Sequence, residues 1–595
     1  MKPDDAHSWV RLGDCIGNGI GPNGITSIDC YKKAVKLDPY LTTAMHKLQL
    51  ATRLQGDAQQ ANTIMGQMRE LTDSLNQSPF ASEYLWSGPL TEAIGAPLYS
   101  PRDSAQRLPE FNLVSETKFN LPDQTRWSTP DDRSDFHGGI LNRVQARFGI
   151  RITSFDYDLD RDLDLLILNA VVENKALRHV LLRNDGNATF TDVTDTAGLS
   201  AYQGHLGCAI GDFDNDGLED LYLTGVGSNT LLRNLGTGNF EDVTEQAQIG
   251  LSEQVSMGAL FLDLDHDSDL DLIVANYGPL TDVHKMFVTE PYDGGSPNAF
   301  YSNIGEARLD VEQNRDFPPL DVQFEKIQKE PWTELLPTVA FAAADFDNDR
   351  DLDLVELSDN TPVRLLINQR LLRWNALPLD TDLAPKQTYN GALVADWNND
   401  IRIDLLLISN EHPAIFLKNN SPGNIDALPA FSLQASDMPA LKFTQAVDAD
   451  SDGWIDFLGL AANDNHIVLG SNQNRGILSR PEWIQSLFQE NSHIEGLISI
   501  PLADQDWPYL VAVQDGLPPL LLKTEGNNSH WIRIILSGKP LRVPSPNKKT
   551  LRSNAGAIGA RLMAHVGPSV ITWENTTTNT GLCQSRVPIT VGVGH

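Results

Sequence analysis

The chain has 595 residues, 41% apolar and 7% aromatic, with 45 Lys and Arg against 79 Asp and Glu for a formal net charge of −34. That length means several domains or one large repeat array, and that composition excludes wholesale disorder. The acidity argues against nucleic acid and anionic membrane, both polyanions, and points to cations or basic partners.

Residues 1–75 read as helical. Trp9, Leu12, Gly13 and Cys15 recur at helical spacing; Ile28, Tyr31, Ala34, Val35 and Leu37 continue on a second helix, which Asp38-Pro39 stops. A second pair follows with Ala44, Leu48, Leu50, Gly56-Asp57 and Ala61. The W-x2-L-G opening and the closing Pro resemble the tetratricopeptide repeat, in two copies. Two such repeats alone bury their faces poorly, so the chain is expected to begin inside a longer array. Residues 76–110, rich in Pro, Ser and Gly, read as a linker.

From residue 156 onward aspartates alternate in six places: DYDLDRDLD from Asp156, DFDNDGLED from Asp212, DLDHDSDLD from Asp263, DFDNDRDLD from Asp345, DWNNDIRID from Asp396 and DADSDGWID from Asp448. A decayed seventh copy starts at Asp504. The starts are 56, 51, 82, 51, 52 and 56 residues apart, so the unit is about 50 residues. The long interval predicts a surface loop over 278–297. Each loop lies between short apolar runs, followed by segments such as VLLRNDG (180–186) and FTDVT (190–194). Each unit thus offers four short strands separated by Gly, Asn and Asp turns. Seven such units predict a mainly β fold, a seven-bladed β-propeller over 111–526. FNLVSET (111–117) matches a blade's last strand but has no blade of its own, while blade seven lacks one, so 111–117 is expected to close the ring and remove two sheet edges. Residues 527–595 read as a small β module.

Alternating aspartates on a tight loop turn several carboxylates toward one centre. Hard oxygen donors suit Ca²⁺, which takes six to eight of them; Mg²⁺ demands smaller octahedral geometry. Counting the first Asp as position 1, side chains at 1, 3, 5 and 9 and the carbonyl at 7 are the candidate ligands, as in the first half of an EF-hand loop. The candidates are Asp156, Asp158, Asp160 and Asp164; Asp212, Asp214, Asp216 and Asp220; Asp263, Asp265, Asp267 and Asp271; Asp345, Asp347, Asp349 and Asp353; Asp396, Asn398, Asp400 and Asp404; and Asp448, Asp450, Asp452 and Asp456. Up to six Ca²⁺ are expected. Loops 2 and 6 carry Gly217 and Gly453 at position 6, where a positive φ is free of strain. Loop 5 has the neutral Asn398 and should bind weakest; the seventh copy should bind none. Without a cation, carboxylates this close would repel and rise in pKa. His266, at position 4 of loop 3, is expected to point outward.

The Asp loops and the LLRN and FTDVT strands resemble FG-GAP/VCBS repeats, the integrin α-chain type of propeller. HWIRIIL, RSNAGAIGAR (552–561) and GLCQSRVPITVGVG resemble the ASPIC/UnbV domain that follows such propellers in cartilage-acidic-protein-like chains. Leu582-Cys583 and Thr590-Val591 depart from that pattern. Members usually continue beyond this point, so the module is expected to be truncated. The resemblance implies calcium binding, an extracytoplasmic location and a protein or glycan partner, without a defined reaction.

No apolar run reaches the roughly 18 residues of a membrane helix, and no signal peptide is visible. The cysteines at 15, 30, 208 and 583, with no CxxC, form neither a disulfide framework nor a zinc signature. No GxSxG, HExxH or Walker motif appears. The sequence reads as a calcium-binding, non-catalytic protein-interaction scaffold. The alternatives are a carbohydrate-binding propeller, which needs aromatics repeated in every blade whereas the Trp, including Trp397, Trp454 and Trp507 near three loops, are irregular, or a catalytic or biosynthesis-assisting propeller using its axial channel.

Overall fold

The structure is a computed structural model that describes residues 6–16, 24–39, 41–55, 57–73, 110–114, 117–134, 139–288, 292–304, 323–369, 372–421, 428–434, 438–449, 453–462, 466–470, 472, 482–484, 493–501, 508–525, 530–538, 554, 556–566, 569–575, 583–585 and 589–594. The expected linker, the turn between the first two helices and the decayed seventh Asp loop lie outside them, as do Asp450 and Asp452.

Seven antiparallel blades follow one another in chain order. Their inner strands are Ile152–Phe155, His205–Gly211, Gln254–Leu262, Thr338–Ala344, Gly391–Ala395, Leu441–Val447 and Ile494–Pro501. These strands neighbour one another around the axis. Sheets packed on both faces need unbroken apolar runs rather than alternation, and TVAFAAA, buried at every residue, is such a run. Convergence toward the axis also demands small residues. A Cβ on Gly211 would stand 2.8 Å from Leu270 Cδ1 and 2.9 Å from Phe261 Cβ. A register shift near the start of the inner strand recurs in blades 2, 3, 4, 6 and 7, where it bends the strand into the ring.

The ring closes as expected, by a shorter strand. Glu110–Leu113 pairs antiparallel with Leu517–Glu525, with Phe111 opposite Thr524 and Leu113 opposite Leu522, as the fourth strand of blade seven. The long interval is ordered differently from the expected loop. The second strand of blade 3 runs on to Pro279, a 3₁₀ turn covers Leu280–Lys285, and Ser296–Pro297 pairs with Leu335–Leu336.

Two features were not read from the sequence. Strands Lys118–Asn120 and Thr125–Trp127 widen blade 1. Helix Ile140–Phe148 then closes the mouth of the channel where the inner strands begin, burying Ile140, Leu141, Val144 and Phe148. Its backbone carbonyl at Arg147 accepts from Asn410 Nδ2 at 2.8 Å, and Gly149 ends it at φ 74°, with Glu495 O 2.3 Å from where a Cβ would stand. The apolar residues at 140, 141, 144 and 148 were a legible helical face.

Four helices, Ala6–Ile16, Ser27–Leu37, Thr42–Leu54 and Ala58–Asp73, pack in sequence order in the N-terminal region. Thr26 and Asp29 cap the second reciprocally. Among the described residues no helix is long and apolar enough to cross a membrane. In the C-terminal module His530–Ile534 pairs with Ile589–Gly594, and Arg561–Val566 with Ser569–Glu574.

Candidate metal loops and the plugged axis

Each of the first six Asp loops joins the end of an inner strand to the start of the second strand, so these loops lie on the face opposite helix Ile140–Phe148. Their shape is fixed by side chain to backbone hydrogen bonds within nine residues. The amide at position 6 donates to the position 1 carboxylate: Arg161 to Asp156 at 3.0 Å, Gly217 to Asp212 at 2.7 Å, Arg350 to Asp345 at 3.0 Å, Ile401 to Asp396 at 2.8 Å and Gly453 to Asp448 at 3.0 Å. Position 6 is left-handed whether or not it is glycine: Arg161 has φ 75°, Ser268 81°, Arg350 80° and Ile401 74°. Position 4 is left-handed too, at Leu159, Asn215, His266, Asn348 and Asn399. The sequence reading missed this. Asparagine at three of those positions was the signal, because it tolerates that region best.

The position 9 aspartate is a brace as well as a candidate ligand. Asp164, Asp220, Asp271 and Asp353 are fully buried, and each accepts two backbone amides. In loop 4, Phe346 N donates to Asp353 Oδ2 at 3.0 Å and Asn368 N to Oδ1 at 2.8 Å. That asparagine recurs at or just past the end of the third strand in blades 1 to 6, and its role was not foreseen. In blades 2 to 6 its side-chain amide crosses to the preceding blade and donates to the carbonyl at position 2 of that blade's loop. Asn234 reaches Tyr157 O at 2.9 Å, Asn303 Phe213 O at 2.8 Å, Asn368 Leu264 O at 2.9 Å, Asn419 Phe346 O at 2.8 Å and Asn472 Trp397 O at 2.5 Å. The recurring Asn in RN, SN, IN and KN was visible in the sequence; its partner, roughly a blade and a half away in the chain, was not.

The carboxylates converge as expected in four loops. Asp156, Asp158 and Asp164; Asp212, Asp214 and Asp220; Asp263, Asp265 and Asp267; and Asp345, Asp347 and Asp353 each bring three carboxylate oxygens within 4.8 Å of one another. The remaining predicted members, Asp160, Asp216, Asp271 and Asp349, flank these groups in the same loops. Burial, with neighbouring carboxylates adding to it, pushes Asp164 up to about 8, Asp263 to about 7, Asp267 and Asp349 to about 9 and Asp345 to about 7. Buried oxygens of Asp156, Asp158 and Asp263 (Oδ1 in each) accept no hydrogen bond. A hard cation would supply what these oxygens lack, so the donor set fits Ca²⁺.

Loop 5 does not converge in this way. Asn398 Nδ2 donates to Asp404 Oδ2 at 3.0 Å, and Arg402 Nη2 bonds Asp400 Oδ2 at 2.6 Å, so protein cations and amides engage its acids. Burial still pushes Asp396 to about 6 and Asp404 to about 8. In loop 6 Asp448 and Asp456 occupy the positions found in the other loops, with Asn472 N donating to Asp456 Oδ1 at 2.7 Å.

Successive loops are also tied together. Asn215 Nδ2 donates to Asp269 Oδ1 at 2.8 Å, and His266 Nε2 lies 2.9 Å from Asp351 Oδ1. The expectation that His266 points freely outward is therefore wrong, because a left-handed position 4 aims its side chain at position 7 of the next loop. Burial works against charging His266, but Asp351 together with Asp263 raises its pKa on balance. Loop 4 additionally joins both ends of the chain. Arg350 Nη1 bonds Asp38 Oδ2 of the N-terminal helices at 2.8 Å. Arg561 of the C-terminal module reaches Asp345 Oδ2 at 3.1 Å and Asn348 Oδ1 at 2.5 Å, and pairs with Glu574. Residues 556–561 thus seat the module, with Ile558 buried against blades 3 and 4.

The axis itself is filled by Cys583-Gln584-Ser585. Gln584 is fully buried; its backbone amide donates to Cys208 O at 2.9 Å. Its Oε1 accepts from Ile210 N at 3.2 Å and Phe261 N at 3.1 Å, and its Nε2 donates to Phe261 O at 3.0 Å. Thr153 Oγ1 donates to the Gln584 carbonyl at 2.6 Å. One tripeptide therefore bridges the inner strands of blades 1, 2 and 3. Trp397, beside the fifth loop, is buried and packs edge-on against Phe416.

Six of the seven blades of this β-propeller turn through an aspartate loop between their first two strands, and residues 156–223 and 212–274 match the FG-GAP-like repeat. The chain is homologous to cartilage acidic protein 1: it is 24% identical to the human protein over 241 residues, 38% of this chain and 32% of that one. It is 24% identical to the Xenopus tropicalis protein over 303 residues, 48% of this chain and 41% of that one. The chain thus spans well under half the length of these relatives. Similar solved structures include an Agrocybe aegerita lectin that recognises non-reducing terminal N-acetylglucosamine, at 13% identity, 57% of this chain, 80% of that chain and TM-score 0.37. Another is YCF48 bound to a D1 peptide, at 10% identity, 72% of this chain, 98% of that chain and TM-score 0.35.

Proposed function

We propose that this protein is a calcium-binding, non-catalytic interaction scaffold that works outside the cytoplasm and presents its propeller to a protein or glycan partner. Loops 1 to 4 and loop 6 hold Ca²⁺ and loop 5 binds weakest. The observation that carries the calcium reading is the convergence of three buried or half-buried carboxylates, with oxygens within 4.8 Å of one another, in each of four loops. Burying such groups with no counter-charge is costly, and a divalent cation removes that cost. The ions act on the architecture. Each ties the end of an inner strand to the start of the next, and site 4 shares Asp345 with the Arg561 contact of the C-terminal module. Homology to cartilage acidic protein 1 supports the extracytoplasmic placement and the interaction role.

The test is calorimetric titration of chelator-stripped protein with Ca²⁺, paired with melting in Ca²⁺ and in EDTA. Four or five sites and a clear rise in melting temperature are expected. No heat of binding and no shift would sink the calcium reading and leave the loops as acidic turns.

A further inference from the structure

The channel between helix Ile140–Phe148 and the Cys583-Gln584-Ser585 plug is not completely filled. A cavity of about 20 Å³ remains, lined by Arg151, Phe443, Thr444, Gln445 and Cys583 among others. This is more room than one water needs. Arg151 precedes the inner strand of blade 1 and is only 5% exposed. Its Nε and Nη2 have no hydrogen-bond partner. Its guanidinium carbon lies 5.8 Å from the centre of the Phe148 ring and 5.5 Å from that of Phe443. No carboxylate among the described residues pairs with it; the acidic groups that act on it are the Cys583 and Cys208 thiols.

A buried guanidinium with idle N–H groups and no carboxylate is an expensive arrangement. Ring faces offset part of that cost. Water would satisfy the N–H groups but not the charge. We propose that this axial cavity binds a small monovalent inorganic anion, of the size of chloride or bromide, on the Arg151 guanidinium. Its walls suit such an ion: one cation, two aromatic faces, a threonine and a glutamine side chain, and no carboxylate to repel it. The cavity is too small for a carboxylate-bearing metabolite or a sugar. The anion completes the closure of the channel from within, beside the plug that closes it from the C-terminal side. This inference is independent of the calcium reading, because the Asp loops lie on the far ends of the inner strands.

Crystals of the calcium-loaded protein soaked in bromide should show one anomalous peak against Arg151. At constant ionic strength with Ca²⁺ fixed, replacing bulky methanesulfonate by chloride should raise the melting temperature by on the order of 2–4 °C. Arg151→Met should remove that difference. The bromide measurement uses the unaltered chain and so stands even if the variant fails to fold. No peak in the cavity, with equal melting in the two salts, overturns the proposal. So does a thiolate absorbance at neutral pH in chloride-free protein that Cys583→Ser abolishes, because Cys583 would then be the counter-charge.

Discussion

Replacing Gln584 by alanine tests whether the C-terminal tripeptide holds the axis. The side chain satisfies three buried backbone groups on two inner strands: Ile210 N–H, Phe261 N–H and Phe261 C=O. A buried polar group left without a partner costs about 1–3 kcal/mol, so Gln584→Ala, which orphans three, should cost about 3–9 kcal/mol. The assay is urea unfolding in saturating Ca²⁺, followed by tryptophan fluorescence. The midpoint should fall with little change in slope, and the segment around residue 583 should become open to protease. Gln584→Glu should not rescue, because it turns a carboxylate oxygen toward the Phe261 carbonyl. A loss below about 1 kcal/mol with unchanged protease resistance would refute the reasoning, since three orphaned groups in a dry axis cannot be that cheap.

Three further outcomes follow from the loops. The raised carboxylates make the metal-free protein hold more protons than the unfolded chain from about pH 4, near the unfolded aspartate value, up through the folded values of about 6 for Asp156, 8 for Asp164 and 9 for Asp267. Their contribution to stability is complete below that window and is lost as pH rises through it, so melting in EDTA should fall from pH 5 to 9 while saturating Ca²⁺ flattens the fall; equal slopes with and without Ca²⁺ would contradict this. Ile401 is a β-branched residue at φ 74° and 38% exposed, so in Ile401→Gly the relief of left-handed strain should offset the lost burial and the added unfolded-state entropy, leaving thermal melts within about 1 kcal/mol of the parent; a loss of several kcal/mol would contradict this. Asn398→Asp removes the amide donor to Asp404 and adds a carboxylate, so calorimetry should count one more Ca²⁺, while the EDTA form should melt lower than the parent.

The blades were legible because what makes them is local. An Asp loop closes on itself through bonds spanning two to seven residues, such as Gly217 N to Asp212 and Phe213 N to Asp220. Alternating aspartates therefore announce it in any context, and the repeat of about 50 residues announces the ring. Closure was legible for the same reason: FNLVSET looks like a strand that lacks a blade. The contacts that turn blades into one body were not legible. Asn234 finds Tyr157 across 77 residues, and Gln584 finds Ile210 across 374, only once the ring brings successive inner strands together. Nothing in CQS marks those three residues as the axial plug, and nothing in the spacing of the cysteines sets Cys583 beside Cys208 and Arg151. Short-range hydrogen bonding and hydrophobic runs determined the repeating unit from sequence alone; the curvature of the closed ring, which sets what faces its axis, decided the rest.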